Sequence, residues 1–421
     1  MASSSAAKNQ KDAASVRQKA TKWIANARKR VKSHRPAFLL QLIYWALVVI
    51  VFVVGAYFLF GWMMGPTGGE QPERIDITRM ALTVAAGFGG LVALVVAYRK
   101  QRDAEEGRFV ERFGAAAEQL GHTDVAVRMA GVYAMAGVAD RTKHMEQRQQ
   151  CVNVLCGYLR LPYDPDSVED HQVLTIVRNP EHEGTNPSRE IHFQYRQNDR
   201  EVRNTIVRII ADHLRRDDSE SWSQCSFDFS NVFFEEANFS KARFKGEYTS
   251  FGGATFGGVR TAFDGATFGG EIALFDGATF GGEATSFHKA TFGSETTSFH
   301  KVTFGAAWTL FGGATFGGVK TLFGGATFGG EMTLFDGATF GGARTEFDGV
   351  TFGAAWTLFG GATFGAARTS FKSATFRGEK IDFEAPKQWS PAPEFDWDDP
   401  ASGILKPDIV KPDDWPPMER L

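Results

Sequence analysis

The chain has 421 residues and a formal net charge of -3 at pH 7, enough length for two or three domains and no strong overall charge of either sign. Three cysteines, Cys151, Cys156 and Cys225, are an odd count, which argues against a disulfide framework and fits a reducing compartment. Cys151 and Cys156 with His144 match no familiar zinc spacing, so no metal site is expected.

Residues 1–36 carry ten Lys or Arg against one acid, Asp12, and read as a disordered basic arm. The next run, 37–64, holds no charge and exceeds the ~20 residues that cross a bilayer. Tyr44, Trp45, Tyr57 and Trp62 suit interfacial belts. The basic region and the apolar run are both too long for a signal peptide. A second charge-free run spans 80–98, and the loop between, 65–79, has no room for a domain. The expectation is a two-helix transmembrane hairpin. Basic residues before the first run and at Arg99, Lys100 and Arg102 place both termini in the cytoplasm, at the inner or plasma membrane. Ala85, Ala86, Gly89 and Gly90 suit either a close helix contact or a glycine-tolerant span.

Residues 99–220 read as a small α-helical domain. Phe109, Phe113, Ala116 and Leu120 form one stripe. A second helix starts at a Thr123 or Asp124 cap and is expected to bury Val127, Ala130, Ala134 and Val138. MEQRQQCVNVLCGYLRLP gives a third helix, stopped by Pro162 and Pro165. DREVRNTIVRIIADHLRR gives a fourth, with Val202, Ile206, Ile209 and His213 on one face. His213 reads as a packing histidine, and His171, His182 and His192 lie near a polar loop with no nucleophile. No G-x-x-x-x-G-K, H-E-x-x-H or G-x-S-x-G occurs, so no enzyme, cofactor or catalytic residue is expected.

From Phe239 to Phe371 a phenylalanine returns every twelve residues, each followed by another five residues on, Phe244 to Phe376. Strict periodicity marks a solenoid whose units bury their apolar faces against each other. The glycine content excludes helix. Odd spacings of five and seven would put successive Phe on opposite faces of a flat strand, so the chain must turn a corner between them. Gly-Gly in the seven-residue intervals is expected to supply those corners. The residue two before each Phe, Ala as at Ala326 or Thr as at Thr333, should point inward beside it.

The stretch SFDFS NVFFE EANFS KARFK repeats Phe229, Phe234, Phe239 and Phe244 at a plain spacing of five. It resembles the pentapeptide-repeat family, with Leu or Phe central and a small residue two before it. The resemblance covers about Phe227 to Phe383 and implies a right-handed, four-sided β-helix over 222–383. The two added residues of each 5+7 unit are placed at alternate corners, giving about 24 residues per coil. DVAVRMAGVYAMAGVAD and CGYLRLPYDP resemble bacterial membrane proteins in which a helical segment precedes such repeats. The helical domain should cover the first coil. The Pro- and Trp-rich tail, 384–421, either caps the last coil or is a disordered partner-binding segment.

Unbroken register separates the repeats from cohesive disordered Phe-Gly chains. Outward Thr rows of an ice-binding surface have little use in a cytoplasmic body. The expected function is a non-enzymatic, membrane-anchored scaffold that presents the β-helix to an unidentified protein partner, with homo-oligomers open. The alternative implied by the resemblance is a DNA-mimic modulator of gyrase or another nucleic-acid enzyme. Twelve acids against nine bases from Gly246 to Phe383 are too few for duplex mimicry, and no direct nucleic-acid binding is expected. His288 and His300 share a repeat position and read as surface residues.

Overall fold

The computed structural model describes residues 74–165, 175–178, 190–193 and 199–419. The chain divides into two units, Met1–Val96 and Ala97–Leu421. The apolar segment 37–64 lies outside the described residues. The second segment, 80–98, is not a separate element, because it belongs to helix α1 (Arg74–Gly121), 48 residues long. The Lys, Arg, Gln and Glu residues after Tyr98 are good helix formers and carry the helix on. Among the described residues no helix is long and apolar enough to cross a membrane, so the expected hairpin has no support there.

In the second unit the end of α1 packs with α2 (Val125–Arg141), α3 (Met145–Leu159) and α4 (Asp199–Arg215). Ala116 and Leu120 are buried, and Phe109 and Phe113 pack against them. Asp124 is the N-cap of α2, its Oδ1 accepting from the Ala126 N–H at 2.7 Å. The buried face of α2 differs from the expected one: Gly131, Val132, Met135 and Val138 are inside, while Ala130 is exposed. Alanines all round α2 leave its phase open, and two residues fix it. A Cβ at Gly131 would lie 2.6 Å from the Leu120 backbone nitrogen, so only glycine allows this approach. Arg128 is buried, donating from Nη1 to the Thr123 carbonyl at 2.7 Å. The face of α4 is the expected one, with Val202, Ile206, Ile209 and His213 all buried. The polar loop before α4 holds a short antiparallel ribbon, β1 (Thr175–Arg178) and β2 (Glu190–Phe193), that no periodicity announces.

Residues from Phe227 on form a parallel β-solenoid. Strands pair with the strand one full coil away, 24 residues on, as in Thr267 with Thr291 and Thr309 with Thr333. Four sheets of six, seven, seven and eight strands make four walls. Wall 1 contains Tyr248–Ser250, Ile272–Leu274, Thr296–Ser298, Lys320–Leu322, Arg344–Glu346 and Arg368–Ser370. Wall 3, across the coil, contains Arg260–Ala262, Ala284–Ser286, Trp308–Leu310, Met332–Leu334, Trp356–Leu358 and Lys380–Asp382. Walls 2 and 4 are two-residue Thr-Phe strands such as Thr279–Phe280 and Thr291–Phe292. The two added residues of each seven-residue interval precede the longer strands of walls 1 and 3.

The interior is columns of rings. Phe263 and Phe287, one coil apart, stack at 4.9 Å with planes 2° apart, and Phe287 meets Phe299 across the coil edge-on at 6.1 Å and 87°. Both are favoured aromatic geometries. The Ala of each Ala-Thr-Phe and the Thr of walls 1 and 3 point inward as expected: Ala326 and Thr333 are fully buried. The corners differ from expectation. Most left-handed residues lie in the five-residue intervals, as at Gly253 (φ 68°) and Gly265 (φ 62°), where Lys289 (φ 54°) and Lys301 (φ 56°) occupy the same place. Within the seven-residue intervals the demand is spatial: a Cβ at Gly258 would lie 1.8 Å from the Glu235 carbonyl oxygen of the coil below. Hydroxyl-carboxylate bonds Ser286–Asp264, Ser298–Asp276 and Ser370–Asp348 staple successive coils.

Both ends of the stack are covered. At the first coil Gln149 donates to the Ser226 carbonyl (2.7 Å) and accepts from its N–H (2.8 Å), and Arg215 donates to the Ser240 carbonyl (2.8 Å). At the last, the tail continues the columns: Phe395 stacks on Phe371 at 4.7 Å, Trp397 on Phe395 at 4.5 Å, and Val410–Lys411 adds a parallel strand to Lys380–Asp382. Capped ends remove the open strand edges that invite aggregation. One apolar core runs from Ala116 to Val410.

Candidate protein-docking face

Inside a coil the side chains repeat; outside they diverge. In a three-residue strand the middle Thr points inward, so its neighbours on either side face out. On wall 3 those outward pairs in three successive coils are Trp308 and Leu310, Met332 and Leu334, and Trp356 and Leu358. Register places Trp308 beside Met332 and Met332 beside Trp356, with Leu310, Leu334 and Leu358 in a second row. Trp308 and Trp356 are 50% and 48% exposed, large fractions for tryptophan. Parallel strands ~4.8 Å apart make the six side chains contiguous. Trp308 and Trp356 are exposed and the other four partly so, an apolar patch with a polar rim of the kind often found at interaction sites, and tryptophan is enriched among residues that dominate binding energy.

The rim is charged on one edge. Glu283, Glu331 and Glu379 occupy the position before the outward row, alternating with Ala307 and Ala355. Trp356 Nε1 donates to Glu379 Oε2 at 3.4 Å, holding one indole against its neighbouring coil. Above and below, the apolar row ends in polar or small residues, Lys380 on one side and Ala284 then Arg260 on the other. Lys380 is paired with Asp382 at 2.7 Å.

His171 and His182 lie outside the described residues, and His192 lies in β2. Cys151, Cys156 and Cys225 are buried apart from solvent, and burial pushes each thiol up to about 12. His213 stacks on Trp222 at 4.1 Å, with Nε2 3.1 Å from Asp140 and Nδ1 2.7 Å from the Ile209 carbonyl. His288 and His300 sit in turns after Phe287 and Phe299. Among the described residues no group of His, Cys, Asp or Glu could hold a metal ion.

A twelve-residue reading hides the apolar face. It makes Glu331-Met332 and Ala343-Arg344 equivalent, yet the first pair lies on wall 3 and the second on wall 1. The signal available in sequence was the distance from Trp308 to Trp356, two coils. Comparison of the chain with protein-family models, curated proteins and solved structures gives no match.

Proposed function

We propose that this protein is a non-enzymatic scaffold: a capped β-solenoid of the pentapeptide-repeat kind, tethered to the cytoplasmic face of a membrane and docking a protein segment on wall 3. The observation that carries the reading is the in-register ladder of Trp308, Met332 and Trp356. Its occupant is an amphipathic segment whose apolar stripe covers the two rows and whose basic flank meets Glu283, Glu331 and Glu379. A rigid face favours such binding because little order is lost on contact.

Support for the tether comes from the charge-free segments 37–64 and 80–98. Leu94, Val95, Val96 and Tyr98 at the end of the second are 46–71% exposed, apolar surface that lipid would cover. A gyrase-directed DNA mimic is less well supported, because phosphate mimicry needs a continuous run of negative charge and on wall 1 the acids Glu247, Glu271 and Glu295 give way to Lys320, Arg344 and Arg368.

The test is a photo-crosslinking amino acid at Met332 of the full chain in cells. A discrete adduct that falls about tenfold in the Trp308→Ala/Trp356→Ala variant, a loss of ~1.4 kcal/mol of binding, is expected. An adduct indifferent to both tryptophans, or none, would overturn the docking face. Release of the full chain by an alkaline wash of membranes would overturn the tether alone.

A further inference from the structure

We propose that wall 1 binds a second copy of this chain in antiparallel orientation, the acidic half of one wall lying on the basic half of the other. This concerns the wall across the coil from the docking face and does not depend on it.

The charges of wall 1 are sorted by sign along the solenoid. After the first strand, Phe227–Asp228, the residue entering each strand is Glu247, Glu271 and Glu295 in three successive coils, then Val319, Ala343 and Ala367. The first outward residue of each strand is Tyr248, Ile272 and Thr296, then Lys320, Arg344 and Arg368. Register is strict: the Glu271 N–H donates to the Glu247 carbonyl at 2.9 Å, and the Lys320 N–H to the Glu295 carbonyl at 3.0 Å. Like charges stacked at strand spacing repel. Alternating signs would relieve that repulsion within one chain, as it does in part where Arg344 pairs with Glu346 and Arg368 with Glu394 (2.9 Å). Segregation leaves the Glu247, Glu271 and Glu295 coils negative, and the later coils carrying Lys320, Arg344 and Arg368 with Glu346 and Glu394 offsetting part of that charge.

Such a wall complements itself under one operation. A two-fold axis along the strands, between the Thr296 and Lys320 coils, lays coil on coil in reverse order. The Glu295 edge then faces Val319 of the second copy, Glu271 faces Ala343, and Glu247 faces Ala367. Each acid meets a short apolar side chain and lies beside the base that follows it, Lys320, Arg344 or Arg368. Symmetry repeats every pairing, as an isologous contact requires. Parallel stacking of the walls would instead set acid coils against acid coils. One wall about 29 Å tall, from six strand spacings, is a small interface, so the association is weak and salt-sensitive.

The experiment uses two differently tagged full-length chains co-expressed in cells, one with Glu271→Cys and the other with Ala343→Cys. The native cysteines are buried and leave the introduced ones to react. Oxidation is expected to give the mixed dimer about tenfold over either chain alone, and to lose it when ionic strength rises from about 0.05 to about 0.5 M. Glu295→Arg or Lys320→Glu, both exposed sites, carried by both chains should abolish the crosslink, and Glu295→Arg on one chain with Lys320→Glu on the other should restore it. Equal thermal melts establish that these variants fold. Glu271→Cys crosslinking to itself, no mixed dimer, or no rescue by the complementary pair would overturn the proposal.

Discussion

Phe299 and Phe323 stand one coil apart with ring centroids 4.8 Å apart and planes 4° from parallel. That separation is the spacing of hydrogen-bonded strands. The backbone ladder and the ring column therefore share one repeat, and neither strains the other. Phe323 is also edge-on to Phe311 and Phe335 at 6.2 and 6.3 Å, so its ring is held from the next coil and from across the tube. Phe323→Ala should cost about 3–5 kcal/mol, the range for a large buried aromatic whose cavity cannot collapse. Urea denaturation followed by circular dichroism measures it, and a loss under ~1 kcal/mol would contradict a close-packed column.

Thr333 is fully buried and its hydroxyl has no hydrogen-bond partner, a condition shared by Thr285, Thr297, Thr309, Thr321, Thr345, Thr357 and Thr369. Valine has the same shape without the group that must be desolvated. Thr333→Val should stabilise by about 1 kcal/mol, while the outward Thr327→Val should stay within ~0.5 kcal/mol. Thermal melts of the two variants decide it: a lower midpoint for Thr333→Val would mean the buried hydroxyl is satisfied.

Lys301 adopts φ 56° at a corner where glycine stands in most coils. The left-handed conformation costs a residue with a Cβ about 1–2 kcal/mol, partly offset by the greater unfolded-state freedom of glycine. Lys301→Gly should raise stability by about 0.5–1 kcal/mol. The same change at Lys320, in a strand, should lower it, and reversed signs in paired melts would refute the corner assignment.

Asp140 is pulled two ways. Burial raises its pKa, but hydrogen bonds from His213 (3.1 Å) and Trp222 Nε1 (3.0 Å), with the charges of His213 and Arg216, outweigh it and hold the carboxyl below the ordinary 3.8. A lowered folded pKa means the stabilisation is complete above the unfolded value and is lost as pH falls through the folded one. Asp140→Asn should therefore destabilise the helical cap at pH 7 by about 1–3 kcal/mol, with the gap to wild type closing below about pH 4. A gap that persists unchanged at pH 2 would mean the carboxylate charge contributes nothing.

Periodicity carried most of the fold. Phe every twelve residues with a second five later dictated corners and inward Ala and Thr, while the 24-residue coil followed from the resemblance to four-sided pentapeptide repeats. The phase of α2 was not legible, since Ala126, Ala130, Ala134 and Ala136 put similar side chains on several faces and Gly131 decided by close approach. Phe395 keeps the twelve-residue spacing after Phe371 and Phe383, but the companion phenylalanine five residues on is lost, with Gln388 and Pro400 in its place, and the surrounding prolines disguised the continuation into Phe395 and Trp397. The apolar rows proposed as a docking face lay in outward positions, where successive twelve-residue units fall on opposite walls and only the folded register brings Trp308, Met332 and Trp356 together.

The coil length has a genetic corollary. Excision of one 24-residue block shortens the rod by about 4.8 Å and returns every later side chain to the side it left. Excision of a single twelve-residue unit keeps each phenylalanine inside but turns the remainder through half a circuit. Trp356 would then project from the side that carries Arg344. Repeat number is thus free to drift in even steps, whereas an odd step yields a chain that still winds but whose outer pattern has been exchanged side for side.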